Sequence, residues 1–566
     1  MLRRALRPLQ HTYTRTFTST TRIMAARVQI SVDYQLEDGK MKEIPFPKAD
    51  SESKILLSKV SGKYYATSSK CTHYGAPLVK GVLTSSGRIV CPWHGACFNA
   101  CTGDIEDAPG LNNLSSFKVE EEGSALFITP PESADVTATR EPPAFASSKS
   151  GKGVVIVGGG AGAAHAVEEL REAGYEGRIR VVSSESYLPI DRTKLSKALI
   201  PDASKIALRS AEFYEKLGVE FLLGQEASSI DFEADTLALK TGDKIEYEQL
   251  IVATGASPNR LPVDGANLEN IFVLRTVEHS ADIDKAIGDG KAEKKNVVVI
   301  GSSFIGMEAA LAASSRANVT VVGMEGAPFQ AILGKEIGNG VRKFHESKGT
   351  KFFLPASLSH FEPSSSSKAV GSVILKDGTS IPADVVILGV GVKPATSVLK
   401  ESGVQLEKDG SVKTDEFLRI GGEGMVKGNV FAIGDIAKYR DVKTGQDIRV
   451  EHWNVASNHA RAVARTIALK GAAFEKVAVF WSAQGQQLRY AGTARSKEWE
   501  DVIIKGNPDE LKFVAYYTTG DDVVAVASMQ NDPIAAHVSE LFRLDKMLSA
   551  KEIKAGKNPL DIPLSA

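Results

Sequence analysis

Cys71-Thr72-His73-Tyr74-Gly75-Ala76-Pro77-Leu78 and Cys91-Pro92-Trp93-His94-Gly95-Ala96-Cys97-Phe98 set two thiols and two imidazoles in a Cys-x-His…Cys-x-x-His pattern. Two thiolates on one iron and two imidazoles on the other make the ligand set of a mixed-ligand [2Fe–2S] centre. Zinc also accepts two cysteines and two histidines, so residue types alone leave both metals open. The glycine following each pair lets backbone amides approach sulfur, and such hydrogen bonds tune potential. All four cysteines (Cys71, Cys91, Cys97, Cys101) fall in this one stretch. That excludes a disulfide scaffold, fits a thiol-reducing compartment and leaves Cys97 and Cys101 over, as free thiols before a regulatory pair.

Around these loops, residues 25–131 show short alternating runs such as Lys63-Tyr64-Tyr65-Ala66-Thr67, which predict an all-β module. Residues 132–150 are rich in Pro and Ser and read as a linker. The whole chain has 566 residues, too many for one core and suggesting about three to five domains. A formal net charge of −1 gives no reason to expect nucleic acid or an anionic membrane as partner. No apolar run reaches the roughly 18 residues of a membrane span. The first 24 residues differ: Arg3, Arg4, Arg7, Arg15 and Arg22 stand among Ser and Thr with no acid. That composition predicts a mitochondrial targeting segment. A start at Met24 would give a cytoplasmic form lacking those five arginines and carrying a formal charge of −6.

Beyond the linker, Val154-Val155-Ile156-Val157 runs into Gly158-Gly159-Gly160-Ala161-Gly162-Ala163. A helix-like stretch, a second strand at 179–182 and Glu185 follow. This strand, glycine turn, helix, strand and acid form the context of a dinucleotide site. Gly158, Gly160 and Gly162 permit the tight turn and close approach to pyrophosphate, Ala163 takes the third fingerprint position, and Glu185 would accept from ribose hydroxyls. A second signature, Gly301-Ser302-Ser303-Phe304-Ile305-Gly306-Met307-Glu308, follows Val297–Ile300. Ser303 replaces its middle glycine. The next strand ends at Gly323-Met324-Glu325, and Glu325 is the candidate ribose acid. No Arg or Lys lies between Gly323 and Gly334 to hold a 2′-phosphate, which favours NADH over NADPH.

The Cys-Pro-Trp-His-Gly loop resembles Rieske ferredoxin domains, and the resemblance favours the cluster over zinc. Asp191-Arg192-Thr193-Lys194-Leu195-Ser196-Lys197, Val252-Ala253-Thr254-Gly255 and Val430-Phe431-Ala432-Ile433-Gly434-Asp435 resemble FAD/NAD(P)H-dependent ferredoxin reductases. Taken together, residues 25–566 resemble the Rieske-domain-containing branch of the apoptosis-inducing-factor-like flavoproteins. The resemblance implies a multidomain fold: an all-β Rieske domain (25–131), an α/β flavoprotein with Rossmann-like FAD (151–275 and 401–468) and NAD(P)H (276–400) domains, and an α+β C-terminal domain (469–566). It also implies that Arg192, Lys197, Thr254, Gly255, Gly434, Asp435, Trp453 and Trp481 contact FAD. Glu308 would stand near the nicotinamide, with a solvated helix glutamate as the bland reading, and Gly391 in a strand turn behind it. Lys197 and Glu308 are the candidate catalytic residues. High-potential Rieske proteins carry a cysteine pair and Ser and Tyr hydroxyls where this chain has Ala76, Trp93, Ala96 and Phe98. That departure implies a potential toward the low end of about −150 to +300 mV.

No cysteine follows Cys101. Dithiol chemistry at the flavin and a sirohaem nitrite reductase with its further cluster are both excluded. The expected activity is electron transfer from NAD(P)H through FAD to the Rieske cluster (ligands Cys71, His73, Cys91, His94), and on through an exposed histidine edge to an unidentified acceptor. The competing classes are a redox-sensing, apoptosis-related signalling protein with little turnover and the reductase component of an oxygenase.

Overall fold

The computed structural model describes residues 27–565 except 31, 47–53, 130–144, 146–149, 366, 422–426, 442–443, 469–470, 472 and 494–497. The targeting segment and most of the linker therefore lie outside the described residues.

The N-terminal domain is all β. A six-stranded antiparallel sheet runs in the order Val28–Gln29, Ala125–Thr129, Ser116–Glu122, Lys63–Ser68, Lys54–Val60, Met41–Pro45. Alternation along Lys54–Val60 sends Ile55 and Leu57 into one cluster with Ile44 and Leu126, and Leu56 into another with Ile89 and Phe98. A smaller sheet, Val82–Leu83, Arg88–Val90, Cys97–Asn99 and Ile105–Asp107, carries the second ligand loop in one of its hairpins.

Two parallel sheets follow. The first is ordered Val219–Leu223, Ile179–Ser183, Val154–Val157, Gln249–Val252, Val430–Ala432. Its central strand is buried along its whole length, as expected of a parallel strand covered on both faces. The last strand comes from far along the chain, so the second domain is inserted within the first. That second sheet runs Ile271–Val273, Val385–Leu388, Asn296–Ile300, Asn318–Val322, Lys351–Phe353. Ile271–Val273 lies on the FAD side of the boundary expected at 275/276, yet it hydrogen-bonds into the second sheet. The short run Ile-Phe-Val gives no periodicity by which to assign it. A five-stranded antiparallel sheet closes the chain, ordered Val479–Gln484, Gln486–Gly492, Asp522–Met529, Lys512–Thr519, Asp501–Asn507, and backed by helix Ile534–Arg543.

The all-β domain sits on the flavoprotein part through directed polar contacts. Helix Trp453–Ile467 turns Asn454, Asn458, Arg461 and Arg465 to one side. Asn454 donates to the carbonyls of His94 (3.3 Å) and Ala108 (3.2 Å), and Asn458 accepts from Ala108 N–H at 2.9 Å. Arg461 donates to Ile105 O at 2.8 Å, and Arg465 to Glu106 O at 3.2 Å. Glu169 anchors both arginines from the glycine-turn helix Ala161–Glu172. Lys476 pairs with Asp107 at 2.8 Å, and Tyr74 donates its hydroxyl to Asp191.

Candidate functional site

Both ligand loops bend back on themselves: Cys71 N–H donates to Ala76 O, and Cys91 N–H to Ala96 O. Gly75 and Gly95 take left-handed φ values of 73° and 70°, which these tight returns require. The returns gather the four donors in two pairs. His73 and His94 point their Nδ1 atoms at each other across 2.9 Å. Cys71 hydrogen-bonds to Cys91; this and burial push the Cys71 thiol well above its usual range. Burial opposes ionisation of Cys91, but the hydrogen bond from Cys71, the amides of Trp93 and His94 and the charge of Arg489 bring it below its usual range. Burial also pushes His73 down to about 4 and His94 well below its usual range. Neutral imidazoles and a stabilised thiolate are the protonation states that bind metal.

Among the described residues, no three Cys, His, Asp or Glu side chains converge as a single ion would need. Donors split into a thiol pair and an imidazole pair fit two irons better than one zinc. The sulfur atoms accept backbone amides of His73, Tyr74, Trp93 and His94. Ala76, Ala96 and Phe98 are buried beside the loops and bring no hydroxyl.

The histidine edge is only partly exposed, against the expectation of an open one: His73 is half-buried. His94 is 4% exposed. Its ring lies 4.3 Å from that of Trp481, centroid to centroid, and the His73 ring lies 5.6 Å from it. Docking by Asn454 and Arg461 presses this edge against the C-terminal sheet. The loop sequence alone holds nothing that reports such a contact.

Trp481 in turn lines a cleft of about 1080 Å³ between the two parallel sheets. The same cleft is lined by Gly158, Gly160, Gly162, Glu185, Arg192, Lys197, Thr254, Gly255, Gly434, Asp435 and Trp453, and by Ser303, Glu308 and Gly391 from the second domain's side. Ala163, Gly301, Gly306 and Glu325 do not line it. Ala163 is buried in the helix, while Gly301 and Gly306 serve packing: a Cβ at either would stand within 2.4 Å of a carbonyl oxygen. Glu325 accepts from Ala331 N–H at 3.4 Å. Lys335, one residue past the run read for a 2′-phosphate partner, brings its Cε to 3.9 Å from a Cβ position at Gly326.

The cleft is charged in a paired way. Glu185 binds Arg192 at 2.7 Å, and Asp435 binds Arg275 at 3.0 Å. His459 accepts the N–H of Gly434 at 3.2 Å and so holds the turn that presents Asp435. Glu308 is 3% exposed, which rules out the solvated reading. Lys197, at 3.1 Å, and Ser196 both donate to its Oε2, while Ser482 Oγ at 2.7 Å and Ala483 N–H at 3.2 Å donate to its Oε1. One carboxylate thus ties the second domain to the first and to the C-terminal sheet.

Arg275 and His459 carry no sequence signal that marks them for the cleft. A polar stripe at 454, 458, 461 and 465 in an Ala- and Val-rich helix was the readable signal for the docking face.

Comparison with known proteins accords with this arrangement. Residues 28–118 match the Rieske [2Fe-2S] domain, and residues 152–460 match the pyridine nucleotide-disulphide oxidoreductases. The chain belongs to the pyridine nucleotide-disulphide oxidoreductase family. It is an NAD(P)H-dependent flavoprotein oxidoreductase joined to a Rieske domain, although no cysteine beyond Cys101 is present for disulfide chemistry. The chain is 36% identical to apoptosis-inducing factor 3 of Homo sapiens over 92% of this chain and 84% of that protein. It is 32% identical to rubredoxin-NAD(+) reductase of Pseudomonas putida, over 64% of this chain and 92% of that one. The reductase part is also similar to the covalent putidaredoxin reductase–putidaredoxin complex in crystal form. The TM-score is 0.66 at 26% identity, covering 74% of this chain and 98% of that chain.

Proposed function

We propose that this chain carries electrons from NAD(P)H through FAD to a [2Fe–2S] cluster held by Cys71, His73, Cys91 and His94, and from there to a separate acceptor. The carrying observation is Trp481, whose ring meets both imidazoles and also lines the cleft. The FAD would supply the exchange between a two-electron donor and a one-electron acceptor, and the residues around it hold and orient.

Gly158 and Gly160 open the floor of the cleft for pyrophosphate at the start of helix Ala161–Glu172, where unpaired amides favour an anion. Asp435, fixed by Arg275 and by the His459-held turn, and Glu185, fixed by Arg192, are the acceptors for cofactor hydroxyls. Lys197, oriented by Glu308, presents a cation at the junction of the two domains and the C-terminal sheet, where dinucleotide and flavin would meet. Ser303, Glu308 and Gly391 border the nicotinamide side. NADH as the preferred donor rests on Glu325 at the turn after Asn318–Val322, with no cation between 323 and 334. A mitochondrial location rests on the arginine-rich first 24 residues.

Anaerobic addition of NADH to reconstituted protein, without dithionite, is expected to bleach the flavin and raise the mixed-ligand iron signal in electron paramagnetic resonance. Bleaching with no iron signal would contradict the transfer.

A further inference from the structure

Beside the second cluster loop lies a buried cation that the site described above does not use, Arg489. Arg489 stands in the C-terminal hairpin, opposite Trp481 in the register of Val479–Gln484 with Gln486–Gly492. Directly opposed residues share a face, and this face is the one turned to the second ligand loop. Val479 lies two residues before Trp481, with Cγ1 3.4 Å from a Cβ position at Gly95, and the Trp481 ring lies 4.3 Å from His94. Arg489 is 4% exposed. Its polar partners are sparse for a buried guanidinium: Nε is 3.5 Å from Asp532 and has no hydrogen bond, and Nη1 donates to Gln487 across 3.4 Å.

We propose that Arg489 sets the reduction potential of the cluster, raising it so that the docked cluster accepts electrons from the flavin. This rests on the cluster assignment made above. Two ferric ions, two sulfides, two thiolates and two neutral imidazoles sum to zero charge, and uptake of one electron from the NAD(P)H-reduced flavin leaves the site at −1. A fixed positive charge in a poorly screened position stabilises the reduced form relative to the oxidised one. The same field explains why a cation is kept buried with incomplete pairing, a placement otherwise costly. Asp532 opposes it, so the pair sets a net value. Because Arg489 belongs to the C-terminal sheet and the ligands to the N-terminal domain, the tuning exists only while the two are docked. The potential is therefore a property of the assembled chain.

The test is a potentiometric titration of the reconstituted full chain followed by electron paramagnetic resonance. Arg489→Gln is expected to lower the equilibrium constant for cluster reduction about tenfold, equivalent to about 59 mV for a one-electron couple. Arg489→Lys, which keeps the charge, is expected to stay near wild type, and Asp532→Asn to shift in the opposite direction to Arg489→Gln. An intact mixed-ligand signal in Arg489→Gln at an unchanged potential would overturn the inference, as would parallel shifts in Arg489→Gln and Asp532→Asn. Absence of the signal in wild-type protein would instead overturn the cluster assignment itself.

Discussion

His94→Ala is expected to abolish the mixed-ligand iron signal while leaving reduction of the flavin by NADH unchanged. His94 supplies one of the paired Nδ1 atoms, and its ring is the one closest to Trp481. An iron left with His73 alone at that end has no second nitrogen donor. Structural metal binding is coupled to folding, so the all-β domain loses stability along with its cluster. The glycine turn and the cleft lie in other domains and keep their own cores. The readout is therefore two-part: iron signal and iron content lost, rapid-phase flavin bleaching within about twofold of wild type. Simultaneous loss of both would show that the domain is needed for flavin binding and not for receiving its electrons.

The second large effect concerns the floor of the cleft, where two glycines answer to different demands. Gly158 has φ 117°, and a Cβ there would stand 2.2 Å from Ala253 O. A side chain in that conformation is strained by about 1–3 kcal/mol before the clash is counted. Gly160 has φ −95°, and a Cβ there meets nothing within 4 Å, because it projects into the cleft. Gly158→Ala is expected to lower the melting temperature and the flavin-to-protein ratio together, the latter on the order of tenfold from the strain. Gly160→Ala is expected to leave the apoprotein's melting temperature within about 1 °C and to weaken FAD alone, since an exposed substitution without strain is nearly neutral for stability. Thermal unfolding of apo and FAD-loaded protein separates the two. Equal loss of apoprotein stability in both variants would mean that the open side of Gly160 does not face the cofactor.

Local signals carried most of the architecture. Ligand spacing within each loop, the buried run at 154–157 and the glycine turn after it are short-range patterns fixed by backbone geometry, so they survive in the sequence. The Glu308 carboxylate was ambiguous for the opposite reason. Its helix position permits a solvated side chain, and only the arrival of Ser196, Lys197 and Ser482 from two other domains buries it. Docking of the all-β domain was unreadable in the same way. The bonds from Asn454, Arg461 and Arg465 join residues separated by about 350 positions, and most of their acceptors are backbone carbonyls that any sequence offers. The expectation of an exposed histidine edge held only in part, because that contact buries His94 while His73 stays half-buried. The same contact supports the proposed intramolecular path, because it puts both imidazoles against a ring that lines the cleft. Arg489 was equally hidden, since its significance depends on the strand register that sets it opposite Trp481 and beside a loop some 400 residues away.

The central claim is that one molecule passes electrons from its own flavin to its own cluster through the docked interface. Anaerobic stopped-flow mixing with saturating NADH, following flavin and iron–sulfur absorbance over a range of enzyme concentrations, tests it most directly. The expected cluster-reduction rate constant follows flavin reduction and is independent of protein concentration. A rate rising in proportion to protein concentration would contradict it.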